Sequence, residues 1–254
     1  MELIQFTEED YDFKKALQKN IIKNFQPILY SNKFIKCLKN IYVRELNGLA
    51  QFVRFGITRN ELEVWATYMP IFIRGVNVVR YGVEITGSSG MDLLDGKYYT
   101  SIRRNTNGFG QKVELQHYYD EIVPRLEKII FSIVEGVIPQ MDQMNSFERF
   151  VQELQSPTAC FFGRKYDYLK GGSIQKLFAA IDMLFKEQFT EGIIELKEIV
   201  GDMYANGYQR DPYNDFSEKM LECLDCDASQ MKNNFQLFME QVSNEIRKEY
   251  KLIK

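Results

Sequence analysis

One histidine and one tryptophan are all that 254 residues hold of these two types, and cysteine, at four, and proline, at six, are nearly as sparse. With a single imidazole in the chain, a Ser-His-Asp or Cys-His arrangement must use His117 or not exist. His117 stands beside Tyr118 and Tyr119 at the start of an expected helix, and no G-x-S-x-G elbow accompanies it. Four cysteines are too few for a disulfide scaffold. Cys223 and Cys226 have the spacing of half a zinc site or a redox pair, but zinc needs two more ligands at matching spacing, and Cys37 and Cys160 stand alone. Two small hydrophobes on one face of a helix explain the pair more simply. Neither a metal nor a cofactor is expected.

Long apolar runs are also missing. No stretch approaches the roughly 18 uncharged residues that span a bilayer. The first residues, MELIQFTEEDYDF, lack the basic start, apolar middle and small-residue cleavage site of a secretory signal. A cytoplasmic protein with no membrane partner is the expectation. At 45% hydrophobic residues the chain has ample material for a core.

The net charge of −3 hides a gradient. Residues 1–60 carry ten Lys and Arg against six Asp and Glu, whereas 131–254 carry fourteen against twenty. Phosphate binding requires clustered cations, so the second half argues against nucleic acid as a ligand and suits a basic protein partner instead.

Phe13, Leu17, Ile21, Phe25 and Leu29 recur at steps of four and predict a helix over residues 8–30, with Pro27 kinking it or stopping it early. Two β-like runs follow, Ile41–Leu46 and Leu49–Phe55, separated by Asn47-Gly48. That dipeptide suits a type I′ turn, whose two central residues both need positive φ. A third strand is expected around Leu62–Phe72, and strands also within 74–112. Helical periodicity returns from Glu114 to Ile138, where Pro124 is expected to split or bend the run. Asn145 with Glu148 reads as a capping pair, and amphipathic stretches follow at 173–206 and 214–252. The fold class is therefore α+β: an N-terminal helix on an antiparallel meander sheet, then a mostly helical C-terminal half. The expected organisation is an α+β domain at 1–142 and a helical region at 143–254, either separate or packed on the first as one unit.

Several local patterns fail as motifs. Gly90 and Gly96 enclose five residues, and Tyr98 follows Lys97 where a phosphate loop needs Ser or Thr. Gly108-Phe109-Gly110 lacks the third glycine of a dinucleotide fingerprint. Glu61 and Glu63 share a strand face and Asp120 and Glu121 do not share a helix face, but acid–base pairing requires geometry that spacing does not supply. Arg103 and Arg104, with Arg80, Lys97, Tyr98 and Tyr99 nearby in sequence, form a candidate anion contact, with Trp65 as a wall. A solvated strand edge accounts for the same residues.

The N-terminal part resembles the bacterial domain-of-unknown-function family 4304. The resemblance lies in a leading helix ending Phe25-Gln26-Pro27-Ile28-Leu29, then Asn32-Lys33-Phe34-Ile35-Lys36, Tyr42–Gly48 and Gln51–Phe55. It covers about residues 10–140, and Asn32-Lys33-Phe34 lacks the glycine that family would place before the phenylalanine. It implies a small cytoplasmic bacterial protein and carries over no catalytic residues. Some proteins of this kind are similar in style to immunity proteins.

The function these observations favour is a non-enzymatic protein–protein interaction module, with an immunity protein neutralising a toxin as its specific form. The fifteen tyrosines and nineteen phenylalanines suit an interface, as they also suit a core. The alternative is a small-ligand-binding protein or enzyme with an anion site around residues 74–112. A third reading makes the helical tail a homodimer seam. If a basic partner is bound through charge, neutralising acidic residues of 190–254 abolishes capture with the fold intact by circular dichroism; unchanged capture removes the electrostatic part.

Overall fold

The first helix, α1, runs over Phe13–Ser31 in the computed structural model, which describes residues 2–57, 61–73, 83–84, 101–103, 114–155, 160–161, 164–165, 173–205 and 212–253. Asp12 caps it, its side chain accepting from the Lys15 N–H at 2.8 Å. The buried face is the expected stripe with Ala16 and Asn20 added. Pro27 does not stop the helix: it is exposed, and the helix continues to Ser31. The stop comes at Lys33, whose φ of 65° is left-handed. There the Phe34 N–H donates to the Leu29 carbonyl and the Lys33 N–H to that of Tyr30, which is a Schellman closure built without glycine.

The meander that follows has four strands, one more than the sequence pattern suggested. They are β1 (Ile35–Leu38), β2 (Ile41–Leu46), β3 (Leu49–Ile57) and β4 (Glu61–Pro70), paired in that order. The short β5 (Val83–Glu84) and β6 (Ser101–Arg103) both pair antiparallel with β4, at opposite ends of it. Of the strands expected within 74–112, these two segments are the part inside the described residues. Asn47 and Gly48 have φ of 44° and 81°, as a type I′ turn requires. Gln51, Phe52 and Val53 are buried in succession, the mark of a strand covered on both faces. Phe25 of α1 meets Phe55 of β3 edge-on at 5.0 Å, with Tyr42 of β2 against the same ring.

Arg44 on β2 is buried, which the alternation of the strand did not announce. Its guanidinium lies 4.5 Å from the Phe34 ring and donates to Gln51 Oε1 at 2.8 Å, the Asn32 carbonyl at 3.2 Å and Asp142 Oδ1 at 2.5 Å. A buried cation is tolerable when paired and hydrogen-bonded this fully.

The helix α2 extends unbroken from Leu115 to Gln143 and contains two π turns, Tyr118–Ile122 and Ile133–Val137. Pro124 does not split it. Each π turn ends one residue before an X-Pro bond, Val123-Pro124 and Ile138-Pro139, and each closes by an i→i−5 bond, Val123 N–H to the Tyr118 carbonyl and Ile138 N–H to that of Ile133. Widening the turn relieves the clash between the proline ring and the preceding carbonyls, and so the helix continues past each proline.

The remaining helices are α3 (Phe147–Gln155), α4 (Ser173–Phe185), α5 (Phe189–Ala205), α6 (Pro212–Leu224) and α7 (Ala228–Glu249), with a two-stranded ribbon of Cys160–Phe161 and Arg164–Lys165. Ser146, not Asn145, caps α3, its Oγ accepting from the Arg149 N–H at 3.1 Å. Gly192 permits close approach of α5 to α4, because a Cβ there would lie 2.7 Å from Leu184 Cδ2. The chain divides into two units: Met1–Arg44, Gln51–Tyr68 and Gly82–Gln143 form the first, and Glu45–Ala50, Met69–Tyr81 and Met144–Lys254 the second. Among the described residues no helix is long and apolar enough to cross a membrane.

In the first unit the buried Tyr118 accepts from Asn20 Nδ2 at 2.8 Å, amid the rings of Phe6, Tyr11 and Phe13. Burial pushes its phenol up to about 12, the Asn20 contact opposing and Tyr119 adding to the rise. An unfolded tyrosine ionises near pH 10, so the folded state holds its proton while the unfolded state releases it. Stability from this group is complete below pH 10 and falls by about 3 kcal/mol as pH approaches 12. Tyr118→Phe is expected to cost about 1–2 kcal/mol at pH 7, by stranding the Asn20 amide, and to flatten the alkaline loss. Urea unfolding of both proteins between pH 7 and 11 checks this; parallel pH profiles refute it.

Candidate functional site

A cleft of about 510 Å³ opens in the second unit, and all of its lining residues belong to that unit. Five separate segments build it. The hairpin turn contributes Asn47 and Gly48, the chain after β4 contributes Ile71 and Phe72, and the start of α3 contributes Ser146, Phe147 and Glu148. The end of α4 and one face of α7 complete it.

Hydrogen bonds fix the first three segments to one another. The Ile71 N–H donates to the Gly48 carbonyl at 2.9 Å, the Phe147 N–H to that of Asn47 at 3.3 Å, and Asn47 Nδ2 to that of Asn145 at 3.0 Å. Gly48 is required by its positive φ rather than by crowding, since a Cβ there would meet Phe147 Cβ at an ordinary 3.9 Å.

The floor is aromatic. Phe72 stacks on Phe216 at 5.6 Å and meets Phe147 edge-on at 5.0 Å, and Phe185 lies 5.9 Å from Phe147 and 5.1 Å from Phe235. Phe72 and Phe147 are buried, but Phe185 is 49% exposed. A phenylalanine at a helix end, packed on three other rings and still half open to water, is the apolar surface this cleft offers.

The rim is charged. Asp182, 8% exposed, accepts from Lys186 Nζ at 2.6 Å, one turn along α4. This bond and the nearby carboxylates of Asp182 and Glu148 raise the Lys186 ammonium above its usual range, against a smaller opposing effect of burial. Arg247 of α7 grips Glu45 with both arms of its guanidinium, at 2.8 and 2.6 Å, and this pairing, with Glu240 adding to it, raises Arg247 likewise. Both cations therefore stay charged and already have partners. The three lining carboxylates, Glu148, Asp182 and Glu240, outnumber the two lining cations, and Glu45 offsets one of these from behind, so the rim is negative.

Trp65 is on β4 and Arg103 on β6, where its Cα pairs with Glu61; four strand residues, roughly 13 Å, separate that register position from Trp65. Arg104 lies outside the described residues, as do Arg80, Lys97–Tyr99, the Gly90–Gly96 segment and Gly108-Phe109-Gly110. His117 is half exposed and 3.5 Å from Glu121 Oε1 one turn on. Cys223 closes the last turn of α6, but Cys226 falls beyond its end, which corrects the expectation of one shared helix face. Both sulfurs rest on Asn234, Cys223 Sγ donating to its carbonyl at 3.2 Å and Cys226 Sγ accepting from its Nδ2 at 3.3 Å. Burial and the neighbouring Cys226 raise the Cys223 thiol, away from the reactive thiolate.

Compared with family models, curated proteins and solved structures, the chain matches none. The resemblance to family 4304 thus rests on residue pattern alone.

The Arg247–Glu45 pair is partly buried, and removing one partner leaves a charge without its counter-ion. Arg247→Met is expected to destabilise the protein by about 1–2 kcal/mol, and the double variant with Glu45→Leu by less than the sum of the two single losses. Equilibrium unfolding of the four proteins measures this coupling; strict additivity contradicts a direct interaction.

Proposed function

We propose that this protein is a non-enzymatic binding module whose second unit receives a basic, partly apolar segment of a protein partner in the cleft over Phe185. The single observation that supports this most is the half-exposed Phe185, at the centre of packed rings and beneath a rim with excess carboxylates. An apolar side chain entering the cleft would cover an aromatic surface that water now wets, and positive charge flanking it would meet Glu148 and Glu240. Neutralisation of a basic toxin, the form expected of an immunity protein, would use this cleft as the toxin's landing site. Cytoplasmic location and bacterial origin belong to the same proposal.

Site-directed photo-crosslinking in the source cells tests it. A benzoyl-phenylalanine at position 185 is expected to give a discrete adduct whose crosslinked peptide carries lysine or arginine beside an apolar residue. The same probe at the exposed Ile194 of α5, which does not line the cleft, is expected to give none. An identical adduct from both positions, or none from 185 when partner is present, removes this reading.

A further inference from the structure

The cleft's charges are not spent equally, and this narrows what can enter. Asp182 is held by Lys186 and Glu45 by Arg247, each through a direct ion pair. Glu148 and Glu240 reach those cations only through space: Glu148 accepts instead from Gln152 Nε2, at 3.3 Å, and Glu240 makes no direct ion pair among the described residues. The unspent charge therefore sits on α3 and α7, and both residues line the cleft together with Phe185. Resting on the reading of the cleft as a partner's landing site, we infer that the side chain it recognises is an arginine, with its guanidinium on the open face of Phe185 and in the field of Glu148 and Glu240.

The choice of arginine over lysine follows from the surface. A guanidinium is planar and weakly hydrated, so it lies flat on an aromatic face while its edge N–H groups remain free to pair with a carboxylate; an ammonium keeps its water and does one or the other. The chain shows the same preference in its first unit, where the buried Arg44 stacks on Phe34 and pairs at its edge with Asp142. In the cleft the ring and the carboxylates are present and the cation is to be supplied from outside. Lys186 does not supply it, because Asp182 holds its ammonium one turn back along the same helix.

The full-length protein with methyl-labelled methionine provides the readout, since Met239 lines the cleft and its signal is assigned by its loss in Met239→Leu. The probe is a capped leucyl-arginyl-leucine tripeptide at millimolar concentration and low salt, with lysine and uncharged citrulline versions as comparisons. The arginine peptide is expected to shift Met239 saturably, and to bind roughly tenfold more tightly than the citrulline peptide. The lysine peptide is expected to fall between them. In the Glu148→Gln/Glu240→Gln variant the arginine and citrulline peptides are expected to bind alike, and Phe185→Leu is expected to remove the advantage of arginine over lysine.

Equal binding of arginine and citrulline peptides to the unaltered protein overturns the inference and leaves the cleft as an apolar landing site. An unmoved Met239 with all three peptides overturns both readings. In the Glu148→Gln/Glu240→Gln variant, with a native methyl spectrum, arginine binding reduced to the citrulline level supports the charge requirement; unchanged selectivity there, or an equal loss of both peptides, overturns it.

Discussion

In the second unit, the carbonyls of Asn47 and Gly48 accept from the N–H groups of Phe147 and Ile71, and these two hydrogen bonds decide where the rings of Phe72 and Phe147 stand. The two central residues of such a turn stand outside the strand ladder, so their carbonyls are open to other segments. Both have positive φ here, which a type I′ turn demands and which asparagine and glycine accept at little cost. Any residue at position 48 with a Cβ would meet strain from the backbone first, before any clash. The cleft is therefore conditional on a turn that uses local chemistry alone, and its aromatic floor is assembled on that turn from segments about 25 to 200 residues distant in sequence.

A second constraint runs through the first unit, where α2 carries prolines at 124 and 139 and stays continuous. The π turns before them place one extra residue in the turn, and each such residue rotates everything after it by about a third of a turn relative to an α-helix. The buried positions obey this: Tyr118, Ile122 and Val123 precede Leu126 and Ile129, and Ile133, Val137 and Ile138 precede Met141. Wide turns in helices often accompany function, but here the prolines are a sufficient cause. The hydrophobic stripe continues through both irregularities because the sequence supplies apolar pairs, Ile122-Val123 and Val137-Ile138, where the face shifts.

What was legible in the sequence was whatever is encoded locally. Steps of four marked α1, Asn47-Gly48 marked the hairpin, and the amphipathic stretches at 173–206 and 214–252 marked α4, α5, α6 and α7. β1 was not legible, since four residues with Lys36 and Leu38 facing outward resemble a loop as much as a strand. The helix ends were harder still. Lys33, Glu187 and Lys251 all stop helices in the left-handed conformation, where glycine is the usual signal, and nothing in a lysine or glutamate announces that. The burial of Arg44 was hidden for a related reason: its partners Gln51, Asn32 and Asp142 are brought together only by the fold. The cleft is the extreme case. Phe185 looks like the last apolar residue of a helix, and only the rings of Phe72, Phe147 and Phe235 around it give its exposed face a meaning.

The acidic bias of the C-terminal half was visible as a count, but a count has no direction. Much of that charge is absorbed on helix faces, in pairs one turn apart such as Lys219 with Asp215 and Arg149 with Glu153, or between segments as in Lys232 with Glu187. Exposed pairs of this kind contribute little to stability and largely cancel at a distance. What survives cancellation is set by which carboxylates the fold leaves without a direct ion pair. Glu148 and Glu240 are two of these among the described residues, and they line the cleft with Phe185, an exposed ring that other rings hold in place. A partner would therefore meet a local field over an apolar surface, which selects for a particular side chain, where a uniform acidic surface would select only for net positive charge.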